Sequence, residues 1–174
     1  MQKMNQELVS VMVPVRNEED YISDCLNSIF SQSYQNIELL IGEDCSTDNT
    51  LEIIQSWVKE HSSRFVRCEV FAHEKNYGIT KNFNSLLKMA KGKYLKSIAG
   101  DDIIMPDGIK DEVEFYCHNP ETDILYANAY IIHACDKYPL KNTENYKLFY
   151  DKIPVYEDGL TEALFRGDVI AAPT

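Results

Sequence analysis

The feature that most constrains the fold is a repeated alternation of two hydrophobic patterns. Short, almost continuously apolar runs rich in β-branched residues, such as "LVSVMVPV" at 8–15, are typical of strands buried on both faces of a sheet. Each run is followed by a longer segment whose apolar residues recur at helical spacing, as at Ile22, Leu26 and Ile29. Repeated four times, the alternation predicts an α/β fold, with a mostly parallel sheet and helices on both faces.

The boundaries follow from the apolar runs and from polar residues that suit helix N-caps. We predict N-caps at Asn17 and within Ser46–Asp48. After about Lys137 the pattern weakens, and the chain ends without a capping pattern or a polar tail. We therefore expect 1–174 to form a single domain that is incomplete at its carboxyl end. Five strands and a short late helix are predicted: Leu8–Val15, Ile37–Asp44, Phe65–Ala72, Tyr94–Gly100, Asp123–Ala134, and the helix Leu160–Arg166.

The charge of the chain excludes several classes of partner. A formal net charge of −11 argues against nucleic acid and against anionic membrane surfaces. The sequence has no apolar run long enough for a membrane span and no signal peptide, and its five cysteines are dispersed without a C-x-x-C pair. These features predict a cytoplasmic protein with reduced, mostly buried thiols. A phosphorylated ligand would need a divalent cation to offset the acidic background.

The strand ends are where ligands bind in a parallel sheet, outside the carboxyl edge. The first two strands are followed by "PVRNEED" and "EDCSTDNT", and the next two by "HEKNYGI" and "GDD". Neither a P-loop nor a G-x-G-x-x-G fingerprint is present. Asp101 and Asp102, made accessible by the small Ala99-Gly100 step, could hold Mg²⁺ or Mn²⁺, because these ions prefer carboxylate and phosphate oxygens. The alternative is a plain turn, with Asp107 capping the following helix.

Two ordered segments carry a resemblance to a known family. They are "VSVMVPVRNEEDYISDCLNSIFSQSYQNIELLIGEDCSTDNT" and "NYGITKNFNSLLKMAKGKYLKSIAGDDIIMPDGI". Together they resemble the nucleotide-binding half of the inverting family-2 glycosyltransferases, over about 8–108. The resemblance implies a GT-A, Rossmann-like fold, with a nucleotide-sugar-binding half at about 8–135. It also implies that 136–174 begins the acceptor half.

The resemblance also implies roles for individual residues. Asp44 would accept a hydrogen bond from the uracil ring N–H, Asp102 would be the direct metal ligand, and Asp101 would bind the metal or the ribose. Asn76 and Gly78 match the segment near the nucleotide sugar. The nucleoside pocket after the first strand would be lined by Pro14, Val15, Arg16, Asn17 and Glu18.

Three departures from the family pattern qualify these roles. Arg16 stands where the family usually has an aromatic residue, although a guanidinium plane can also stack on a base. Cys45 replaces a glycine and constrains the turn after Asp44. Ala99 stands where family members often have a further aspartate, and Gly100 stands where many have alanine, so two acids remain rather than three.

Lys81 is either a solvated helix residue or a phosphate contact.

We therefore expect a glycosyltransferase that moves a sugar with inversion from a nucleoside-diphosphate sugar, UDP by resemblance, to a glycan or lipid-linked acceptor. Bacterial cell-surface polysaccharide synthesis is the implied setting, in the cytoplasm or at the inner face of the membrane through the acceptor. The alternatives are a sugar nucleotidyltransferase and a non-catalytic nucleotide-sugar-binding or assembly module; a homo-oligomer stays open. The general base is expected beyond Thr174, so this chain is expected to be inactive alone. We leave four acids unassigned as that base: Asp151, Glu157, Asp158 and Asp168.

Overall fold

In a computed structural model, residues 7–125 are described in full. The backbone of two short strands, Tyr130–Ile131 and Lys147–Leu148, is also described. These strands, β5 and β6, pair antiparallel in a ladder of their own. The rest of the predicted strand after Leu125, the predicted helix at Leu160–Arg166 and Cys135 lie outside the described residues. The division of 1–174 into donor and acceptor halves therefore stays a prediction.

Residues 7–125 contain a four-stranded, all-parallel sheet. Its strands are β1 (Val9–Val15), β2 (Ile37–Glu43), β3 (Arg67–Ala72) and β4 (Tyr94–Ser97), in the order β3-β2-β1-β4. The chain runs outward from β1 to β3 and then returns to place β4 on the other side of β1. Such a reversal of strand order opens a crevice at the carboxyl edge. The turns after β1 and β4 flank that crevice.

Within residues 7–125, four helices connect or follow the strands. They are α1 (Ile22–Phe30), α2 (Thr50–His61), α3 (Ile79–Met89) and α4 (Gly108–His118), with a 3₁₀ turn at Ser62–Arg64 after α2. The predicted α/β fold with a parallel sheet is confirmed. The first four predicted strands end within a few residues of the observed ones, because a continuous β-branched run locates a strand better than it locates the last residue of the strand. Asp123–Leu125, predicted to begin a fifth strand, do not lie in a strand.

The two faces of the sheet explain why β1 and β2 read as continuous apolar runs. On one face, Val11 and Val13 of β1 and Leu39 of β2 pack in the main core with α1, α2 and α4. On the other face, Met12 and Leu40 form a smaller cluster with Leu86 of α3. Every residue of β1 and β2 is buried, so alternation of polar and apolar residues is nearly absent. Helices cover both faces, as predicted.

The prediction that Asn17 caps the first helix is wrong. The helix begins at Ile22, and Asn17 has a φ of 57°, in the left-handed region that asparagine tolerates better than most residues. Asp48, within the predicted range Ser46–Asp48, accepts the N–H of Thr50, the first residue of α2, at 3.0 Å, although the N-cap position itself is Asn49. Asp107, at the start of α4, makes no capping hydrogen bond through its side chain. Asp107 instead accepts a hydrogen bond from the Ser33 hydroxyl. Side chains preferred at N-caps also favour tight turns, and here the turns prevail.

The prediction that the thiols are mostly buried is wrong for the described cysteines. Only Cys25 of these four is buried; Cys45 and Cys68 are half-buried, and Cys117 is exposed. All four are free thiols, as predicted. Within the described part of the chain, no helix is both long and apolar enough to cross a membrane.

Candidate functional site

A cleft of about 270 Å³ opens at the carboxyl edge of the sheet. It lies at the ends of β1 and β2 and against the loop that leads into α3. Neither Asn17, Asp101 nor Asp102 lines it, whereas Ile79 and Asn82, which the sequence analysis did not nominate, do. The nominated residues that the fold brings together around it are Pro14, Val15, Arg16, Glu18, Asp44, Asn76 and Gly78.

A larger cavity of about 1150 Å³ lies elsewhere, against β4 and α4. Tyr94, Leu95 and Tyr116 are among its lining residues. None of the nominated site residues reaches it. Size alone therefore does not identify the site, and the position at the carboxyl edge does.

Asp44 ties the second strand end to the loop between β3 and α3. The residue is 3% exposed. Its Oδ1 accepts the backbone N–H of Tyr77 and its Oδ2 accepts that of Gly78, each at 2.7 Å. Asn76 Oδ1 accepts the same Gly78 N–H at 2.9 Å. Gly78 has a φ of 84°, which a side chain would oppose. Asp44 thus fixes one wall of the cleft through backbone groups.

The turns after β1 and β2 lock onto each other through reciprocal hydrogen bonds. The Asn17 N–H donates to Ser46 Oγ at 2.9 Å, and Asn17 Oδ1 accepts from the Thr47 N–H at 2.8 Å. Glu19 Oε2 accepts both the backbone and the side-chain N–H of Asn49, at 2.9 and 2.7 Å. Much of "RNEED" and "DCSTDNT" therefore serves this interlock. Asn17 joins the two turns and does not line the cleft.

Cys45 is the residue at which the sequence departs from a glycine, and its backbone shows why glycine suits the position. Its φ is 57°, in the left-handed region. A non-glycine residue there costs about 1–2 kcal/mol. The side chain of Glu43, 1% exposed, holds the turn by accepting the Ser46 N–H at 2.6 Å. The predicted constraint on this turn is confirmed.

Asn82 is a site residue that sequence reasoning missed. It lies on α3, is 1% exposed, and donates from Nδ2 to the Gly42 carbonyl at 2.6 Å. A Cβ on Gly42 would overlap Asn82 Oδ1, so the helix approaches β2 this closely only because residue 42 is glycine. An asparagine one turn before Leu86, on the apolar stripe of the helix, was the signal available in the sequence.

Three carboxylates influence one another electrostatically where β1 and β4 end. Asp101 and Asp102 are exposed at the turn after β4, and Glu18 reaches toward them from the turn after β1. Burial, followed by the negative charge of Asp101, raises the pKa of Glu18 from 4.5 to about 7. Partial loss of hydration and the adjacent charge of Asp101 also raise the pKa of Asp102. Cys25 lies beneath them, and burial raises its pKa well above the ordinary value.

The donor set fits a hard divalent cation that shares its coordination with a ligand. Carboxylate oxygens suit Mg²⁺ or Mn²⁺, and mutual repulsion among Glu18, Asp101 and Asp102 is what such an ion would relieve. Among residues 7–125, no three His, Cys, Asp or Glu side chains converge into a metal cage. A cation here would take one or two protein ligands, with phosphate and water supplying the rest.

Comparison with known proteins decides the family. The family model described as "Glycosyl transferase family 2" matches residues 10–166. The chain belongs to glycosyl transferase family 2. Its GT-A fold, with helices on both faces of a parallel sheet, is similar to that of S. aureus TarS.

Individual relatives agree with this assignment. The chain is 36% identical over 108 residues to TuaG of Bacillus subtilis, a glycosyltransferase named for teichuronic acid biosynthesis; the match covers 62% of this chain and 41% of the relative. The structure of S. aureus TarS with UDP-GlcNAc superposes with a TM-score of 0.58 at 32% identity, covering 64% of this chain and 31% of TarS. Pyrobaculum calidifontis PcManGT, solved with GDP-Man and Mn²⁺, shares the fold at 23% identity and a TM-score of 0.54, over 58% of this chain and 29% of its own. The chain spans less than half the length of curated relatives of this kind.

Proposed function

We propose that the chain binds the donor in an inverting sugar transfer, from a nucleoside-diphosphate sugar to a glycan or lipid-linked acceptor. One observation carries this proposal. The cleft at the ends of β1 and β2 lies beside the acidic turn Asp101-Asp102 at the end of β4. A base and ribose in the cleft would direct a diphosphate toward that turn. UDP as the nucleotide is supported by TarS, which was solved with UDP-GlcNAc.

The residues take the following roles in this proposal. Pro14, Val15 and Arg16 form the nucleoside wall at the end of β1, and Asp44 presents the opposite wall through the loop that it holds. The second lone pair on each Asp44 oxygen is available to a base N–H. Asp101 accepts from the ribose hydroxyls.

Asp102, with Asp101 beside it, is proposed to hold Mg²⁺ or Mn²⁺. When bound, such an ion would offset the negative charge of the diphosphate and of the departing nucleotide. The chain itself supplies the carboxylates that orient the ion, and the interlock of the β1 and β2 turns keeps the nucleoside wall fixed. No general base is assigned among residues 7–125. We also propose a cytoplasmic site of action in bacterial surface-polysaccharide synthesis, a setting supported by the name of TuaG.

Two other functions remain as alternatives. A sugar nucleotidyltransferase typically opens with a glycine-rich basic loop after its first strand, and "PVRNEED" contains no glycine. A non-catalytic binding or assembly module would keep the fold without metal-dependent binding of a nucleotide sugar. The test below distinguishes this second alternative from the proposal.

The test is a calorimetric titration of the chain with UDP in the presence of Mn²⁺ or of a chelator. If its gene encodes a longer chain, that chain is titrated as well. We expect Mn²⁺-dependent binding that Asp102→Ala abolishes. The matched control is Asp111→Ala, which removes an exposed aspartate on α4 and should leave binding unchanged. Absence of Mn²⁺-dependent UDP binding in every wild-type chain would overturn the proposal.

A further inference from the structure

The Glu18 carboxylate occupies a notch above Gly100, and the notch exists only because residue 100 lacks a side chain. A Cβ built on Gly100 would overlap Glu18 Oε2 and come within 3.0 Å of Val15 Cγ2. Gly100 is itself buried and directly precedes Asp101. The side chain of Glu18, in the turn after β1, therefore packs directly against the turn that carries Asp101 and Asp102.

The backbone of Glu18 is held by three hydrogen bonds to the starts of α1 and α2. Its N–H donates to Thr50 Oγ1 at 2.8 Å, which anchors it to the start of α2. Its carbonyl accepts from the N–H groups of Tyr21 and Ile22, at 3.0 and 2.9 Å, at the start of α1. These bonds fix the position of the Glu18 Cα, from which the side chain extends to Gly100.

The turn after β4 has its own link to α1. The Cys25 thiol lies 3.4 Å from the carbonyl oxygen of Ala99 and donates to it. The same carbonyl accepts the Asp102 N–H at 3.1 Å. Asp102 therefore lies in a turn that makes two contacts: Ala99 accepts a hydrogen bond from Cys25 of α1, and Gly100 packs against the side chain of Glu18.

Filling this notch with a carboxylate costs free energy that an apolar side chain would not cost. Glu18 Oε2 is buried and has no hydrogen-bond partner among the residues that the structure describes. Burial of such an oxygen without a partner is unfavourable, and the charges of Asp101 and Asp102 add repulsion. An apolar side chain of similar length would avoid both costs, so a polar side chain in this notch points to a role in the site rather than in the core.

We propose that Glu18 is a positioning residue for the cation and diphosphate: its side chain, seated on Gly100, fixes Asp101 and Asp102 relative to the nucleoside cleft. The role departs from that of a nucleoside contact, which the family resemblance implied for Glu18. It also gives Gly100 a purpose, since an alanine there would displace the carboxylate. This inference rests on the proposed function of the chain as a donor-binding unit.

The experiment measures how strongly UDP and Mn²⁺ depend on each other. UDP affinity is determined by calorimetry with Mn²⁺ and again with a chelator, and the ratio of the two affinities is the readout. It is applied to wild type, Glu18→Ala, Gly100→Ala and the double variant. Two further variants serve as controls: Glu18→Gln keeps the shape of the side chain, and Glu60→Ala removes an exposed glutamate of α2. Circular dichroism verifies that each variant is folded.

We expect Glu18→Ala and Gly100→Ala each to lower the ratio by about tenfold, as removal of a group that orients metal ligands typically does. UDP affinity in chelator should change little. The double variant should match the single ones, because both remove the same contact. Glu18→Gln and Glu60→Ala should stay within about twofold of wild type.

Several results would overturn the proposal. Loss of UDP affinity in chelator for Glu18→Ala would make Glu18 a nucleoside contact. Equal loss in Glu18→Gln and Glu18→Ala would show that the charge matters and the shape does not. An unchanged ratio in Glu18→Ala would remove the role altogether. If wild type itself shows no Mn²⁺-dependent UDP binding, the proposed function fails first, and this inference fails with it.

Discussion

The carboxylate of Asp44 and the backbone N–H of Gly78 are joined by a 2.7 Å hydrogen bond in one wall of the cleft. The second oxygen of Asp44 bonds the N–H of Tyr77 at the same distance. This aspartate therefore shapes the cleft before any ligand arrives, because it sets the path of the chain from β3 into α3. Its proposed contact with the base is an additional role for oxygens that are already engaged.

Asp44→Asn should destabilise the protein and open this wall. The amide keeps one acceptor oxygen, but its buried NH₂ group then faces a backbone N–H, so two donors oppose each other where a donor and an acceptor were paired. The expected loss in the free energy of unfolding is about 1–3 kcal/mol, measured by urea denaturation. Asp111→Asn, on the exposed side of α4, should change it by less than about 0.5 kcal/mol. Equal stability of wild type and Asp44→Asn would show that the two hydrogen bonds do not hold the loop.

Cys45→Gly should stabilise the protein, or at worst leave its stability unchanged. The left-handed backbone costs a non-glycine residue about 1–2 kcal/mol, and the greater freedom of glycine in the unfolded chain returns about 0.4–1 kcal/mol of that gain. The matched control is Cys68→Gly in β3, where glycine should lower the free energy of unfolding. Chemical denaturation of both variants provides the test. A loss of stability in Cys45→Gly would contradict the strain argument.

Gly42→Ala should be destabilising through a clash with Asn82. The added methyl would overlap the Asn82 amide and break its hydrogen bond to the residue 42 carbonyl. Overpacking of this kind costs about 1–3 kcal/mol. Shortening the clashing side chain in Gly42→Ala/Asn82→Ala should make the two changes non-additive. Strict additivity in the double variant would rule out the contact as the cause.

The contribution of Glu18 to the stability of the protein should fall as pH rises from about 4.5 to about 7, because the pKa of Glu18 is about 7 in the folded state and 4.5 as its ordinary value. In that interval the folded protein holds a proton that the unfolded chain has lost, so raising the pH favours unfolding. The groups responsible are Asp101, Asp102 and Asp48, together with burial. The raised pKa of Asp102 acts in the same direction.

Glu18→Gln should flatten this part of the stability curve, measured as the free energy of unfolding against pH in the absence of divalent cations. Glu60→Gln, on the exposed side of α2, is the matched control and should retain the wild-type slope. Stability that rises with pH over the same interval in wild type, with no change in Glu18→Gln, would mean that Glu18 is not held in its neutral form.

The sequence predicted the sheet and the edge that carries the cleft, but not the contacts among the turns. Continuous apolar runs in β1 and β2 identify buried parallel strands locally, and the carboxyl-edge rule then places the residues after them together. The pairing of Asn17 with Thr47 and the seat of Glu18 on Gly100 join turns that are distant in sequence. Residues such as these favour caps and turns equally, so only the fold decides between them.

The two aspartates after β4 should prove separable by their ligands. Asp102 is the proposed metal ligand and Asp101 the proposed ribose partner, so Asp102→Asn should remove the Mn²⁺ dependence of UDP binding. It should preserve the preference for UDP over its 2′,3′-dideoxy analogue. Asp101→Asn should have the opposite effect: Mn²⁺ dependence is kept, while the preference for ribose hydroxyls falls by about tenfold, equivalent to one charged hydrogen bond of about 1.5 kcal/mol.

Calorimetry with the two nucleotides, each with Mn²⁺ and with a chelator, gives both readouts from one set of titrations. Asp111→Asn is the control for loss of a negative charge, because Asp111 is exposed on α4 and does not line the cleft. Both aspartates could instead contribute only to the local negative potential. In that case each variant would lose Mn²⁺ dependence to the same degree and leave the dideoxy preference untouched. The crossed pattern, by contrast, requires two carboxylates that are adjacent in sequence yet face different parts of the donor.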